Sequence, residues 1–178
     1  ECLPKERKDT VVLWGGVFAT FGVEKILGEG EGEYVSRGEG ELSIVEFCKR
    51  ARDGGRLDDV PNIWTRQGGK LIGNQMRSEM VNLDDLPFAD YSLFDDQAIY
   101  RPMQGRVWRT VGLETQRGCP YTCTYCNTPS QHKLAKDEFG GNYFRKKSMK
   151  RLHQEISYYQ EKYAIELIYM LTDTFLDR

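Results

Sequence analysis

Short apolar runs and longer stretches of three-to-four spacing alternate along this chain. Thr10-Val11-Val12-Leu13-Trp14 is β-branched and apolar and stops at Gly15-Gly16, the pattern of a buried parallel strand ending in a glycine turn. Phe18 to Leu27 predicts a short helix, and the Gly-Glu alternation over 28–33 predicts a turn region. Tyr34-Val35-Ser36 predicts a second short strand, which runs into Arg37-Gly38-Glu39-Gly40-Glu41. From Leu42 to Arg52 the spacing is helical: Leu42, Val45 and Cys48 share a stripe that Ile44, Phe47 and Ala51 widen, and Gly54-Gly55 closes it. This strand–helix–strand–helix order predicts an α/β layer architecture.

The middle of the chain reads differently. Asn62 to Arg66 and Lys70 to Gly73 flank Gln67-Gly68-Gly69, a β-hairpin signal. The stretch around Leu83-Asp84-Asp85-Leu86-Pro87 and Tyr91 to Asp95 has no sustained period but keeps many aromatics, so a packed connector is expected. Val107 to Leu113 predicts a strand. Ser148 predicts a helix cap, followed by Met149, Leu152, Ile156, Tyr159 and Tyr163 on one helical face. Leu167 to Leu171 predicts a buried strand ending near Asp173. The last third is therefore one β–α–β step, for which a right-handed crossover is expected. One such step cannot close a barrel or cover both faces of a sheet, and both ends look cut, so a piece of a larger protein is expected.

Composition narrows the classes. Hydrophobic residues make up 39% of the 178 and charged residues 29%, as in a globular protein. The net charge of −2 gives no bulk attraction to nucleic acid or anionic membrane. The basic cluster of Arg145, Lys146, Lys147, Lys150 and Arg151 reads as a solvated loop and helix start. No segment approaches the length of a membrane span, and the N-terminus lacks a signal-peptide pattern. Five cysteines, three of them crowded together, point to a metal or redox site in a reducing, cytoplasmic setting rather than to a disulfide framework.

Those three lie in Arg117-Gly118-Cys119-Pro120-Tyr121-Thr122-Cys123-Thr124-Tyr125-Cys126, with gaps of three and then two residues. Thiolates this close can grip three corners of one iron–sulfur cube and leave one iron with an open position. A structural zinc knot is the alternative. Zinc prefers four ligands, Cys2 and Cys48 are distant in sequence, and His132 is the only nearby histidine. Gly118 lets the chain turn out of the strand, and Pro120 stiffens the loop. Asp173, at a strand end, could touch a substrate or a bound cofactor, or simply be solvated. Glu39 and Glu41 could contact a ligand or merely favour a helix start. His132 and His153 are expected at the surface, Met149 in the core, and Cys2 and Cys48 as small hydrophobes.

The cysteine spacing, with Tyr125 just before the last cysteine, resembles the signature of the radical S-adenosylmethionine (SAM) superfamily. That resemblance implies a 4Fe–4S cluster on Cys119, Cys123 and Cys126, whose fourth iron chelates SAM. One electron then splits the sulfonium to methionine and a 5′-deoxyadenosyl radical, which abstracts hydrogen from a substrate. It also implies that Tyr125 sits near the SAM adenine. Three further stretches resemble the branch of that superfamily with an N-terminal cobalamin-binding domain: Val11 to Thr20 with Gly15-Gly16, Tyr34 to Glu41 with Gly38-Glu39, and Leu83 to Pro87. Tyr143 to Ser148 resembles that branch's entry into the helix after the cysteines. The resemblance implies that Gly15, Gly16, Gly38 and Glu39 line a cobalamin nucleotide tail. An Asp-x-His-x-x-Gly element, frequent in such domains, is not found in this sequence, and Thr172 stands where a first aspartate of a pair is frequent.

The resemblance thus implies an α/β protein in two pieces. The C-terminal part of a Rossmann-like cobalamin-binding domain (1–57) is followed by a connector with a β-hairpin (58–105). The first β–α–β part of a radical SAM, partial TIM-type barrel completes it (106–178). The expected chemistry is methylation, cyclisation or related C–H functionalisation of a small-molecule substrate, with a one-electron reductant such as flavodoxin or ferredoxin. A methylthiotransferase-like radical SAM enzyme is the alternative within the superfamily. The stretch by itself is expected to be inactive, because further barrel strands are needed to enclose SAM.

Overall fold

The computed structural model describes residues 10–28, 33–77 and 79–175. The chain divides into two compact units, Glu1–Met80 and Val81–Arg178. Cys2 and most of the Gly-Glu turn lie outside the described residues.

In the first unit, β1 (Leu13–Trp14) and β2 (Tyr34–Ser36) run parallel, with Leu13 opposite Tyr34. The hairpin β3 (Ile63–Gln67) and β4 (Lys70–Gly73) continues the same sheet antiparallel, in the order β1-β2-β3-β4. Its turn residues Gly68 and Gly69 have φ of +53° and +79°, the left-handed pair that a tight hairpin turn requires. The expected helix over 18–27 is two short ones, α1 (Gly16–Phe21) and α2 (Val23–Gly28). They break at Gly22, whose N–H closes on the Phe18 carbonyl at 2.7 Å. These helices bury Ala19, Val23, Ile26 and Leu27 with Val35 of β2, while Phe47 of α3 (Glu41–Arg52) packs with Val60 and Ile63. Tyr34 meets Phe47 edge-on at 5.1 Å. Alternate residues of β2 thus serve two separate cores.

The buried face of α3 is not the one expected. Ser43 and Phe47 are inside, and Leu42, Ile44, Val45 and Cys48 are exposed. Ser43 turns inward because its hydroxyl pairs with Ser36 of β2 at 3.0 Å, which rotates the apolar stripe outward. Cys48 is therefore not a small core hydrophobe.

The second unit holds β5 (Tyr100–Met103), β6 (Arg106–Glu114), β7 (Gln116–Arg117), α4 (Thr128–Phe139), β8 (Arg145–Lys146), α5 (Met149–Tyr163) and β9 (Leu167–Leu171). Strands β5 and β6 form a hairpin, and β6 pairs parallel with β9 from Thr110–Leu167 to Glu114–Leu171. Strands β7 and β8 make a short antiparallel ribbon. Helix α5 starts where expected, the Ser148 hydroxyl accepting the Arg151 N–H at 3.1 Å. Its Tyr159, Leu152 and Ile156 pack on Val111 and Leu113 of β6. Met149, expected in the core, is 80% exposed, because it lies in the first turn, outside that contact. Strand β9 is half-exposed along Tyr169 to Leu171; it is an edge of its sheet among the described residues.

The connector is packed, as its aromatics predicted. The Tyr91 hydroxyl donates to the Gly112 carbonyl and accepts the Gly112 N–H, both at 3.1 Å. The Tyr159 hydroxyl accepts the Ala89 N–H at 3.0 Å and donates to Glu155 at 3.1 Å. Glu155 is buried and pairs with buried Lys147 at 2.8 Å. Burial, helped by the Glu155 charge, pushes the Tyr159 phenol well above its ordinary range, so it stays a neutral donor.

Removing one member of a buried ion pair leaves its partner uncompensated. Lys147→Met is expected to lower stability in urea unfolding by about 3 kcal/mol. Arg151, 3.8 Å from the same carboxylate, keeps the loss at the low end of the range. Lys147→Met/Glu155→Leu recovers most of it.

Candidate functional site

The parallel β6–β9 pair brings the carboxyl ends of two strands together, and the cysteine loop hangs from one of them. The loop is fastened at its root by the β7–β8 ribbon, with Gln116 opposite Lys146 and Arg117 opposite Arg145. Gly118 then turns the chain with φ +83°. A Cβ there would lie 2.7 Å from the Tyr143 ring, so both conformation and space require glycine.

Cys119 is held on both sides. Its Sγ lies 2.8 Å from the Thr174 hydroxyl, just beyond β9. Its carbonyl meets His132 Nε2 of α4 at 2.8 Å. His132 stands edge-on to Tyr143 at 5.9 Å, so it is part of the loop's support and not the free surface residue expected. Thr174 is itself oriented, its carbonyl accepting from the Gln116 side-chain amide and from the Thr172 hydroxyl.

Cys123 and Cys126 lie in an exposed turn. The Cys126 N–H donates to the Cys123 carbonyl at 3.1 Å, and α4 begins directly after it. The Thr128 hydroxyl lies 3.3 Å from Cys126 Sγ, and the Thr128 N–H donates to the same sulfur at 3.4 Å. Those two contacts hold the Cys126 thiol below its ordinary value, against some burial and the nearby charge of Asp173. Asp173 is near enough for its charge to act on Cys126. Tyr125 is 91% exposed and hydrogen-bonds Cys123, and that bond together with the Cys123 charge raises its phenol.

The four described cysteines are free thiols. Among the described residues, no three His, Cys, Asp or Glu side chains stand close enough to cage a metal ion. The donor set nevertheless suits an iron–sulfur group: three thiols, one with its pKa lowered, and the only near histidine engaged by a backbone carbonyl.

In the first unit the parallel β1–β2 pair sets two glycine turns side by side. Gly15 precedes α1 in extended conformation and Gly16 has φ +89°, both facing open space; Gly38 after β2 has φ +73°. The link between them is Thr20, which sequence reasoning missed. Its buried hydroxyl donates to the Gly16 carbonyl at 2.9 Å and accepts the Gly38 N–H at 3.0 Å. The Thr20 carbonyl takes Arg37 Nε at 3.0 Å. Glu39 follows at the same end of the sheet. A Thr one turn into a helix, with a glycine turn before it, was the only available signal.

No protein-family model matches the chain. It is similar to an uncharacterized methyltransferase of Pyrococcus horikoshii, 28% identical over 94% of this chain and 34% of that protein. It is also similar to the cobalamin-dependent radical SAM methyltransferase TokK of Streptomyces tokunonensis, 29% identical over 53% of this chain and 14% of that one. Its fold matches the cobalamin-dependent SAM radical enzyme OxsB, solved with aqua-cobalamin and SAM bound. The TM-score is 0.64 at 21% identity, over 93% of this chain and 21% of that one. It matches the radical SAM methyltransferase TsrM of Kitasatospora setae, solved with cobalamin and a 4Fe–4S cluster bound, at TM-score 0.54 and 17% identity, over 91% and 31%. The relatives and structural neighbours of this chain are thus cobalamin-dependent radical SAM enzymes and methyltransferases, and the chain spans about a third or less of their length.

Three substitutions test the local accounts. Gly118→Ala forces a left-handed residue against the Tyr143 ring and is expected to cost about 2 kcal/mol or more in thermal unfolding. Thr20→Val strands the Gly38 N–H and is expected to cost about 1–3 kcal/mol by the same measurement, while Thr20→Ser stays close to the parent.

Proposed function

We propose that this chain is part of a cobalamin-dependent radical SAM methyltransferase, with a 4Fe–4S cluster on Cys119, Cys123 and Cys126. The observation that carries the reading is the placement of three free thiols, with three and then two residues between them, at the carboxyl end of a parallel strand pair. Ligands gather at such strand ends in α/β folds. When bound, the cluster supplies an open iron position and one electron for cleavage of SAM. The rest is the work of the chain's own residues. Cys119 is the anchored thiol, gripped by Thr174 and His132. Cys123 and Cys126 sit on the exposed turn, so closing the three thiols around a cluster is a movement of that turn and not of the strand. Thr128 lowers the Cys126 thiol pKa, the direction that favours a metal-binding sulfur. Tyr125, beside Cys123, stands near the SAM adenine, and Asp173 faces the same ligand or the substrate.

We assign the first unit to the end of a Rossmann-like cobalamin domain and the second to the start of the radical SAM barrel. Gly15, Gly16, Gly38 and Glu39 then line the cobalamin nucleotide tail. Open space at the two leading glycines suits close approach of a bulky ligand to the backbone. The substrate is a small molecule, and the electron comes from a flavodoxin- or ferredoxin-like donor in a reducing, cytoplasmic compartment. Among the described residues no helix is long and apolar enough to cross a membrane.

Anaerobic reconstitution of the full-length protein, followed by iron, sulfide and zinc analysis, tests the reading. About four irons and four sulfides per chain are expected. Each of Cys119→Ala, Cys123→Ala and Cys126→Ala should lose them without losing bound cobalamin. Zinc alone, without sulfide, would make the loop structural.

A further inference from the structure

Cys119 differs from the other two thiols in having a hydroxyl placed on its sulfur from a distant segment, just beyond β9. The Thr174 Oγ1–Cys119 Sγ distance is 2.8 Å, and the two residues are 55 apart in sequence. Thr174 is not a casual surface contact. The Gln116 side-chain amide, itself buried, and the Thr172 hydroxyl both bind its carbonyl, which fixes the backbone that presents the hydroxyl. On the other side, His132 pins the Cys119 carbonyl and so fixes the backbone that carries the sulfur.

A hydroxyl facing a metal-bound thiolate has one role open to it: the sulfur has no proton, so the hydroxyl donates. A hydrogen bond to a cluster sulfur withdraws electron density and stabilises the reduced state, which carries one more negative charge. We propose that Thr174 is a positioning and tuning residue, which donates its hydroxyl hydrogen to the Cys119 thiolate and raises the reduction potential of the cluster bound there. The inference rests on the cluster reading above. The step concerned is addition of one electron to the cluster, supplied in the test by dithionite, with no bond made or broken. Cys126 has the Thr128 N–H as donor and the Thr128 hydroxyl beside it, but both come from two residues on, within its own turn. Thr174 is the donor that links the potential to the end of β9, where Asp173 also stands.

The test is a redox titration of the anaerobically reconstituted full-length protein, followed by electron paramagnetic resonance, for the parent, Thr174→Val and Thr174→Ser. Valine keeps the shape and removes the hydroxyl, while serine keeps the hydroxyl. Thr174→Val is expected to retain iron and sulfide but to reduce at a more negative midpoint potential. Thr174→Ser should return toward the parent. Should Thr174→Val load poorly, Thr174→Ala is read in its place. An unchanged midpoint in a fully loaded hydroxyl-free variant overturns the inference and leaves the cluster reading intact. A parent that binds no cluster overturns both.

Discussion

Parallel pairing of β6 with β9 is the constraint on which the second unit depends. Parallel neighbours cannot be joined by a tight turn, so the chain must cross over between them. Here the crossover carries the cysteine loop, α4, the β7–β8 ribbon and α5. Because both strands point the same way, the loop leaving β6 and the turn leaving β9 emerge at one end, and Cys119 meets Thr174. Helix α5 covers the sheet through Leu152, Ile156 and Tyr159, and the Lys147–Glu155–Tyr159 network ties it to the connector at Ala89. Lys147, Glu155 and Tyr159 each have a hydrogen-bond partner in that network, which favours one packing over others.

The first unit solves a similar problem on a smaller scale. Strands of only two and three residues pair parallel, and their glycine turns would be loosely held without a cross-link. Thr20 supplies it through one side-chain oxygen that both donates and accepts. The result is a rigid end with little side-chain bulk. In the second unit the supports differ in kind: a conformationally obligate glycine at 118, a histidine on a carbonyl and threonines on sulfurs.

Short apolar runs were legible as strands where both neighbours confirmed them: β2, the β3–β4 hairpin, β6 and β9 lie within a residue or two of their expected bounds. Helix α5 was legible from its stripe and its serine cap. Helix α4 was not, because its buried positions are Thr128, Gln131 and Ala135, which make no apolar stripe. Strand β5 was hidden by Pro102, although Gln104-Gly105 was a turn signal. The α3 stripe was real as a pattern but faces outward, since a serine–serine hydrogen bond and Phe47 decide the rotation. At the site, the spacing of the three cysteines and the position of Asp173 just beyond a strand were legible. His132, Thr174 and Thr20 were not. Their roles arise from contacts 13, 55 and 18 residues apart, which no local pattern records.

The central claim is that three thiolates leave one iron open to SAM. Electron paramagnetic resonance of the reduced, reconstituted full-length protein, recorded with and without SAM, addresses it directly. The account predicts a reduced 4Fe–4S signal whose shape changes when SAM is added. A cluster signal indifferent to SAM, or no cluster signal in a protein that holds zinc, would contradict it.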